Sequence, residues 1–116
     1  MKPISNHLQH WQVGILAFDQ MELLDFAGPY EVFTTASRVC EKMGLPLRFS
    51  VQTIAQRHEM IEARAGLKIM PDTDFASAQS CDLLIVPGGV VDEPFRDSKV
   101  ISWIQDAHQT ERYPAS

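Results

Sequence analysis

One acid stands out by its setting. Asp25 lies in "LLDFAGPYEVF", residues 23–33, between an apolar run and a Gly-Pro pair, just downstream of the apolar stretch "VGILAF", residues 13–18. Burying an ionised carboxylate costs several kcal/mol, so Asp25 must be solvated, cap a backbone end, or sit in a pocket where it handles protons. A second feature is "DLLIVPGG", residues 82–89, which closes on Gly88 and Gly89. Glycines there can adopt positive φ and turn N–H groups toward a phosphate, a carboxylate or a tetrahedral oxyanion. Each feature also has a plain structural alternative: a helix cap or first-turn acid for Asp25, and a tight turn closing a strand for the glycines.

The chemistry still missing is a nucleophile, and the chain offers two thiols, Cys40 and Cys81. A nucleophile elbow needs strand, then nucleophile, then helix. Cys81 precedes its strand and falls at the amino end, so it reads as a small buried residue. Cys40 sits far along a helix pattern and reads as core. The cysteines have no CxxC spacing, and His7, His10, His58 and His108 lie apart from any set that could complete a metal site. Reduced thiols, no metal and no cofactor are the expectation.

These residues need elements to carry them. "VGILAF" suits a central strand buried on both faces. After a turn at Asp19-Gln20, the apolar positions Val32, Phe33, Ala36, Val39, Cys40 and Met43 fall on one helix face. Pro29 is placed at a first helical position and Gly44-Leu45-Pro46 ends the helix. "LRFSVQTIA", 47–55, reads as a second strand, and 60–71 as two short strands about Ala65-Gly66. "DTDFASA" reads as a turn or a single helical turn, and "DLLIVPGG" as a third apolar strand. "DSKVISWIQDAHQTE" reads as a helix capped by Asp97 or Ser98, with Val100, Ile101, Ile104 and Ala107 on its apolar face. Apolar strands alternating with amphipathic helices predict an α/β domain with a mainly parallel sheet. In such sheets ligands bind beyond the carboxyl ends of the strands. Asp25 and Gly88-Gly89 both follow strand ends, so both are expected on that edge.

The 116 residues, 45% hydrophobic and 22% charged, suit one globular domain, read as a polar leader at 1–12 followed by a domain over 13–116. A net charge of −5 disfavours nucleic acid as a partner of this segment. No signal-like h-region and no membrane-length apolar window are present, so a cytoplasmic address without membrane contact is expected.

"VGILAFDQMELLDFAGPYEVFTTASRV", "IEARAGLKIMPDTDF" and "CDLLIVPGG" together resemble the amino-terminal half of the ThiJ/PfpI superfamily, within the class I glutamine amidotransferase-like fold. Isonitrile hydratases and the sensor-like domains of AraC-type regulators are the nearest branch, and the resemblance runs from Val13 onward. It implies a flavodoxin-like three-layer sandwich, usually a homodimer, with a catalytic cysteine on an elbow. By position it gives Asp25 proton transfer with that cysteine and with a small-molecule substrate. Gly88, Gly89 and Val90 would line the oxyanion or ligand pocket, although the family's usual glycine-rich continuation is replaced by Val90-Val91-Asp92-Glu93. Arg64 would lie in a hairpin that helps dimerise or borders the site. The cysteine is expected about two residues past Ser116 by the strand, elbow, helix order. The expected fold is therefore incomplete, and the chain is expected to be inactive alone as a hydratase. The alternatives are a non-catalytic ligand-sensing or dimerisation domain of a regulator, and a truncated remnant.

Overall fold

The computed structural model describes residues 7–89 and 102–106. Its frame is a parallel β-α-β unit: β1 (Gln9–Leu16), α1 (Leu23–Met43) and β2 (Leu47–Ala55). Five further elements follow among the described residues: β3 (Ile61–Glu62) and β4 (Lys68–Ile69), which form an antiparallel hairpin, then β5 (Thr73–Asp74), β6 (Leu83–Ile85) and a helical segment at 102–106. The main sheet has the order β5-β2-β1-β6 with every pair parallel. This is the α/β sheet that the alternation of apolar strands and helical periodicity predicts.

β1 is central because its apolar run can be covered on both sides. Val13, Ile15 and Leu16 are inaccessible to solvent and meet Ile54 of β2 and Leu84 of β6, which are equally buried. The strand starts at Gln9, before the apolar run. Gln9 to Gln12 pair in register with Leu47 to Ser50, and Gln12 exchanges bonds with Asp82, whose Oδ2 accepts its N–H at 2.8 Å. Backbone pairing needs no apolar side chain, so hydropathy places the start of this strand too late.

α1 also departs from its expected bounds. It begins at Leu23, six residues before Pro29, which lies inside the helix. Its core face is built on Phe26, which is buried, with Ala27 and Phe33 packed against the core. Ser37 Oγ accepts the Phe49 N–H, and the Phe33 ring meets Phe49 edge-on with centroids 5.1 Å apart. Val32, Val39 and Met43, expected on the core face, are exposed instead. With Phe26 and Phe33 on the inner face, these three residues fall on the side of the helix away from the sheet. Gly44 ends the helix in the left-handed conformation at φ 72°, and its neighbour Leu45 donates to the Cys40 carbonyl.

Pro29 withholds the N–H that would bond the Asp25 carbonyl one turn earlier. Pro29→Ala is expected to stabilise the chain by about 1–3 kcal/mol through the restored helical bond. A higher urea midpoint at unchanged slope is the check.

The stretch after Pro71 is a further correction. Thr73-Asp74 is a short strand pairing with Ile54-Ala55 of β2 before the chain turns. Reciprocal bonds lock its approach, Thr53 N–H to Asp72 Oδ2 at 2.9 Å and Asp72 N–H to Thr53 Oγ1 at 2.8 Å. In the helical segment, Trp103 stacks on Phe75 at a centroid distance of 4.5 Å, and Ile104 packs against the core. The expected cap at Asp97 or Ser98, with Val100, Ile101 and Ala107, lies outside the described residues.

Candidate functional site

The site is assembled by three chain segments at the carboxyl edge of the sheet. The turn after β1 places Asp25 in the first turn of α1, where a carboxylate is favoured by the positive end of the helix dipole. The loop after β6 brings Pro87, Gly88 and Gly89 against that turn. The β3–β4 hairpin closes the other side.

Asp25 and the glycine loop meet directly: the Gly88 N–H donates to Asp25 Oδ2 at 3.1 Å. Both residues are exposed, so the carboxylate is solvated and also tied to backbone. A Cβ on Gly88 would lie 2.9 Å from Asp25 Oδ2, so the absence of a side chain there is what allows the approach. Glu22 donates its N–H to the Gly88 carbonyl at 2.8 Å, and Met21 and Gly89 form an antiparallel bridge. Gly89 takes φ 152°, and a Cβ there would fall 2.6 Å from the Gln20 carbonyl oxygen and 2.7 Å from Met21 Cα. Of the two glycines, only Gly89 uses a positive φ. Val90 lies outside the described residues.

The turn that carries Asp25 is gripped from the hairpin as well. Gln20, with φ 69°, donates to the Glu62 carbonyl at 2.8 Å, and Asp19 Oδ1 accepts the Glu62 N–H at 2.9 Å. Arg64 donates its backbone N–H to the Met21 carbonyl at 3.0 Å, and its guanidinium pairs with the Glu22 carboxylate. Residues 19–22 are thus clamped between the hairpin and the Pro-Gly-Gly loop, which fixes where α1 starts and where Asp25 points. Sequence reasoning missed Asp19 as a hairpin anchor and missed Glu22 altogether. Arg64 and Glu22 are 42 residues apart, and no local pattern links them. Because the pair is largely exposed, Arg64→Ala is expected to change stability by no more than about 1 kcal/mol. Its backbone bond to Met21 survives the substitution, and thermal melting of the variant is the check.

The thiols stand apart from this edge. Cys81 is buried at the amino side of β6, and Cys40 lies in the last turns of α1, fifteen residues beyond Asp25 and on the order of 22 Å along the axis. Both are free. No group of three or more His, Cys, Asp or Glu side chains suited to a metal occurs among the described residues.

The profile of the DJ-1/PfpI family matches residues 11–116, a range that includes Asp25 and the Pro-Gly-Gly loop. The chain belongs to the DJ-1/PfpI family. Its sequence is similar to the isonitrile hydratase of Pseudomonas putida, 27% identical over 106 residues, covering 90% of this chain and 42% of that one. Its fold is similar to that of a ThiJ/PfpI family protein from Pseudomonas syringae, with a TM-score of 0.73 at 18% identity, covering 98% of this chain and 47% of the other. An AraC family transcriptional regulator from Pseudomonas putida is also similar in fold, with a TM-score of 0.67 at 19% identity, covering 86% of this chain and 61% of that one. The chain spans about half the length of the curated relatives it matches. With them, the flavodoxin-like α/β class of this DJ-1/PfpI chain is established. No helix among its described residues is long and apolar enough to cross a membrane.

Proposed function

We propose that this chain supplies the acid and the backbone loop of a DJ-1/PfpI site of the isonitrile hydratase kind, in which water is added to a small carbon–nitrogen electrophile. The hydrogen bond from Gly88 to Asp25 carries the reading, because it joins the two motifs that chemistry of this kind would need at one point on the carboxyl edge. Asp25 moves protons between a thiol and the substrate; the Gly88 N–H is engaged by Asp25, so among the described loop residues it is the Gly89 N–H that is proposed to serve charge developing on the substrate. The attacking group is a thiolate. Neither Cys40 nor Cys81 serves, since each lies away from Asp25, so the nucleophile belongs to a strand–elbow–helix unit outside these 116 residues. The chain alone is therefore proposed to be inactive, and its family setting favours a cytoplasmic homodimer acting on a small molecule.

The test compares this chain with a version extended by a cysteine-bearing elbow, following the formamide formed from an alkyl isonitrile. Turnover by the extended form alone is the expected result. Turnover by the 116 residues, unchanged in Cys40→Ser and Cys81→Ser variants, would overturn the assignment of the nucleophile.

A second reading is a ligand-sensing or dimerising domain without catalysis. Similarity in fold to an AraC family regulator supports it. A net charge of −5 leaves DNA contact to some other segment. Saturable binding of a small molecule by the extended form, with no turnover, would favour this reading over the hydratase.

A further inference from the structure

We infer that Pro29 is a positioning residue for Asp25: by leaving the Asp25 carbonyl without a helical donor, it lets the glycine loop, and not the body of α1, aim the carboxylate. The inference deepens the proposed function and rests on it for its catalytic consequence. Asp25 stands in the first turn of α1, and Pro29 lies inside the helix four residues on. The bond that proline removes is therefore the one that would tie Asp25 to the next turn, and the ring presses on that same carbonyl. Gly28 belongs to the same device. No packing neighbour lies within 4 Å of where its Cβ would stand, so packing does not call for a glycine. Its lack of a side chain relieves the clash that proline imposes on the residue before it in helical backbone. The two poorest helix formers thus stand side by side in α1, within one turn of the acid.

The two sides of this break are held by different parts of the fold. Ahead of it, residues 19–22 are gripped by the hairpin through Asp19, Gln20 and Arg64, and Glu22 donates to the Gly88 carbonyl. Beyond it, the helix body is set against β2 by the Phe33–Phe49 ring contact and by Ser37 Oγ, which accepts the Phe49 N–H at 2.9 Å. Asp25 answers to the first anchorage, because its Oδ2 accepts the Gly88 N–H at 3.1 Å. The fit there is narrow, since a Cβ on Gly88 would already lie 2.9 Å from that oxygen. A donor restored at position 29 would draw the Asp25 carbonyl toward the helix body and carry the side chain with it. Misplacing a reacting group by about 1 Å can cost a rate on the order of 10²-fold. A break that weakens the helix therefore keeps the acid where the loop needs it, as local strain at a functional site does.

Amide exchange and thermal melting of the purified chain are the test. In Pro29→Ala the Tm is expected to rise by about 4 °C or more. The Gly88 N–H is nevertheless expected to exchange faster by about threefold or more, moving toward its rate in Asp25→Ala, where it has lost its acceptor. The Glu22 N–H, whose acceptor is the Gly88 carbonyl, should keep its rate. Thr35→Ala, which improves helix propensity at an exposed position beyond the break, should raise Tm and leave Gly88 unchanged. In the form extended by a cysteine-bearing elbow, Pro29→Ala is expected to lower kcat about tenfold with KM within about twofold. An unchanged Gly88 rate, equal acceleration at Glu22, a lower Tm, or the same acceleration in Thr35→Ala would each overturn the inference. Absence of turnover by the unsubstituted extended form would overturn the hydratase reading alone, and the Gly88 rates would still decide whether Pro29 aims Asp25.

Discussion

Gly89→Ala is expected to destabilise the chain by about 2–4 kcal/mol, combining a strained backbone conformation with overpacking. Its Cβ would enter space held by the Gln20 carbonyl oxygen at 2.6 Å, Met21 Cα at 2.7 Å and the Glu22 nitrogen at 3.1 Å. All three are backbone atoms, and the segment that carries them cannot retreat, because the hairpin holds it from the far side through the bonds of Gln20, Asp19 and Arg64. The substitution must therefore break the Met21–Gly89 bridge or pull the turn off the hairpin. Urea denaturation measures the loss, and amide exchange of Glu22 locates it, since that N–H bonds the Gly88 carbonyl. A midpoint shift worth less than about 0.5 kcal/mol, the range of an ordinary surface change, would show that the turn is not clamped.

Asp25→Asn carries the largest expected effect on activity. In a version of the protein bearing the cysteine elbow it is expected to lower kcat/KM by about 10²–10⁴, the span typical of a lost general acid–base group. Stability should change by only about 1 kcal/mol, because the carboxamide oxygen can still accept the Gly88 N–H and only the charge assistance is lost. Asn and Ala separate the two roles of this side chain: asparagine keeps the acceptor without the ionisable proton, and alanine removes both. Full activity in Asp25→Asn, with a large loss of stability in Asp25→Ala, would reduce Asp25 to a loop anchor.

Much of this arrangement is legible in the chain. The runs at 13–18 and 82–86 mark β1 and β6, and β1 carries the largest share of the buried core, since a strand covered on both faces needs apolar residues at successive positions. Alternation places β2 at 47–55 with the bounds observed, and Ala65-Gly66 marks the hairpin. Strand order then puts Asp25 and Gly88 on the same edge, which the hydrogen bond between them bears out. What failed were the boundaries of α1 and β1, the face that α1 buries, and the turn expected at 72–78, where β5 forms. Pro29 is a start signal by preference, yet a helix can carry it when turns on either side are fixed by other contacts, and here the turn at 19–22 fixes the start at Leu23. Val32, Val39 and Met43 satisfy helical spacing on either face, so periodicity alone could not say which face meets the sheet.

The sequence by itself determined the class of fold and placed Asp25 and the Gly88-Gly89 loop together at one edge of the sheet, with both thiols elsewhere. These follow from the order of residues along the chain and from backbone rules that act locally. Only the tertiary structure decided that Asp25 is bonded to Gly88, that Glu22 and Arg64 pair across the hairpin, that Gly89 has backbone packed where a side chain would go, and that α1 leaves an apolar stripe outward. Each of those depends on contacts between residues 40 or more positions apart, or on which face of a helix the sheet covers. Such contacts are set by how elements pack, and propensity and periodicity within one segment do not encode them.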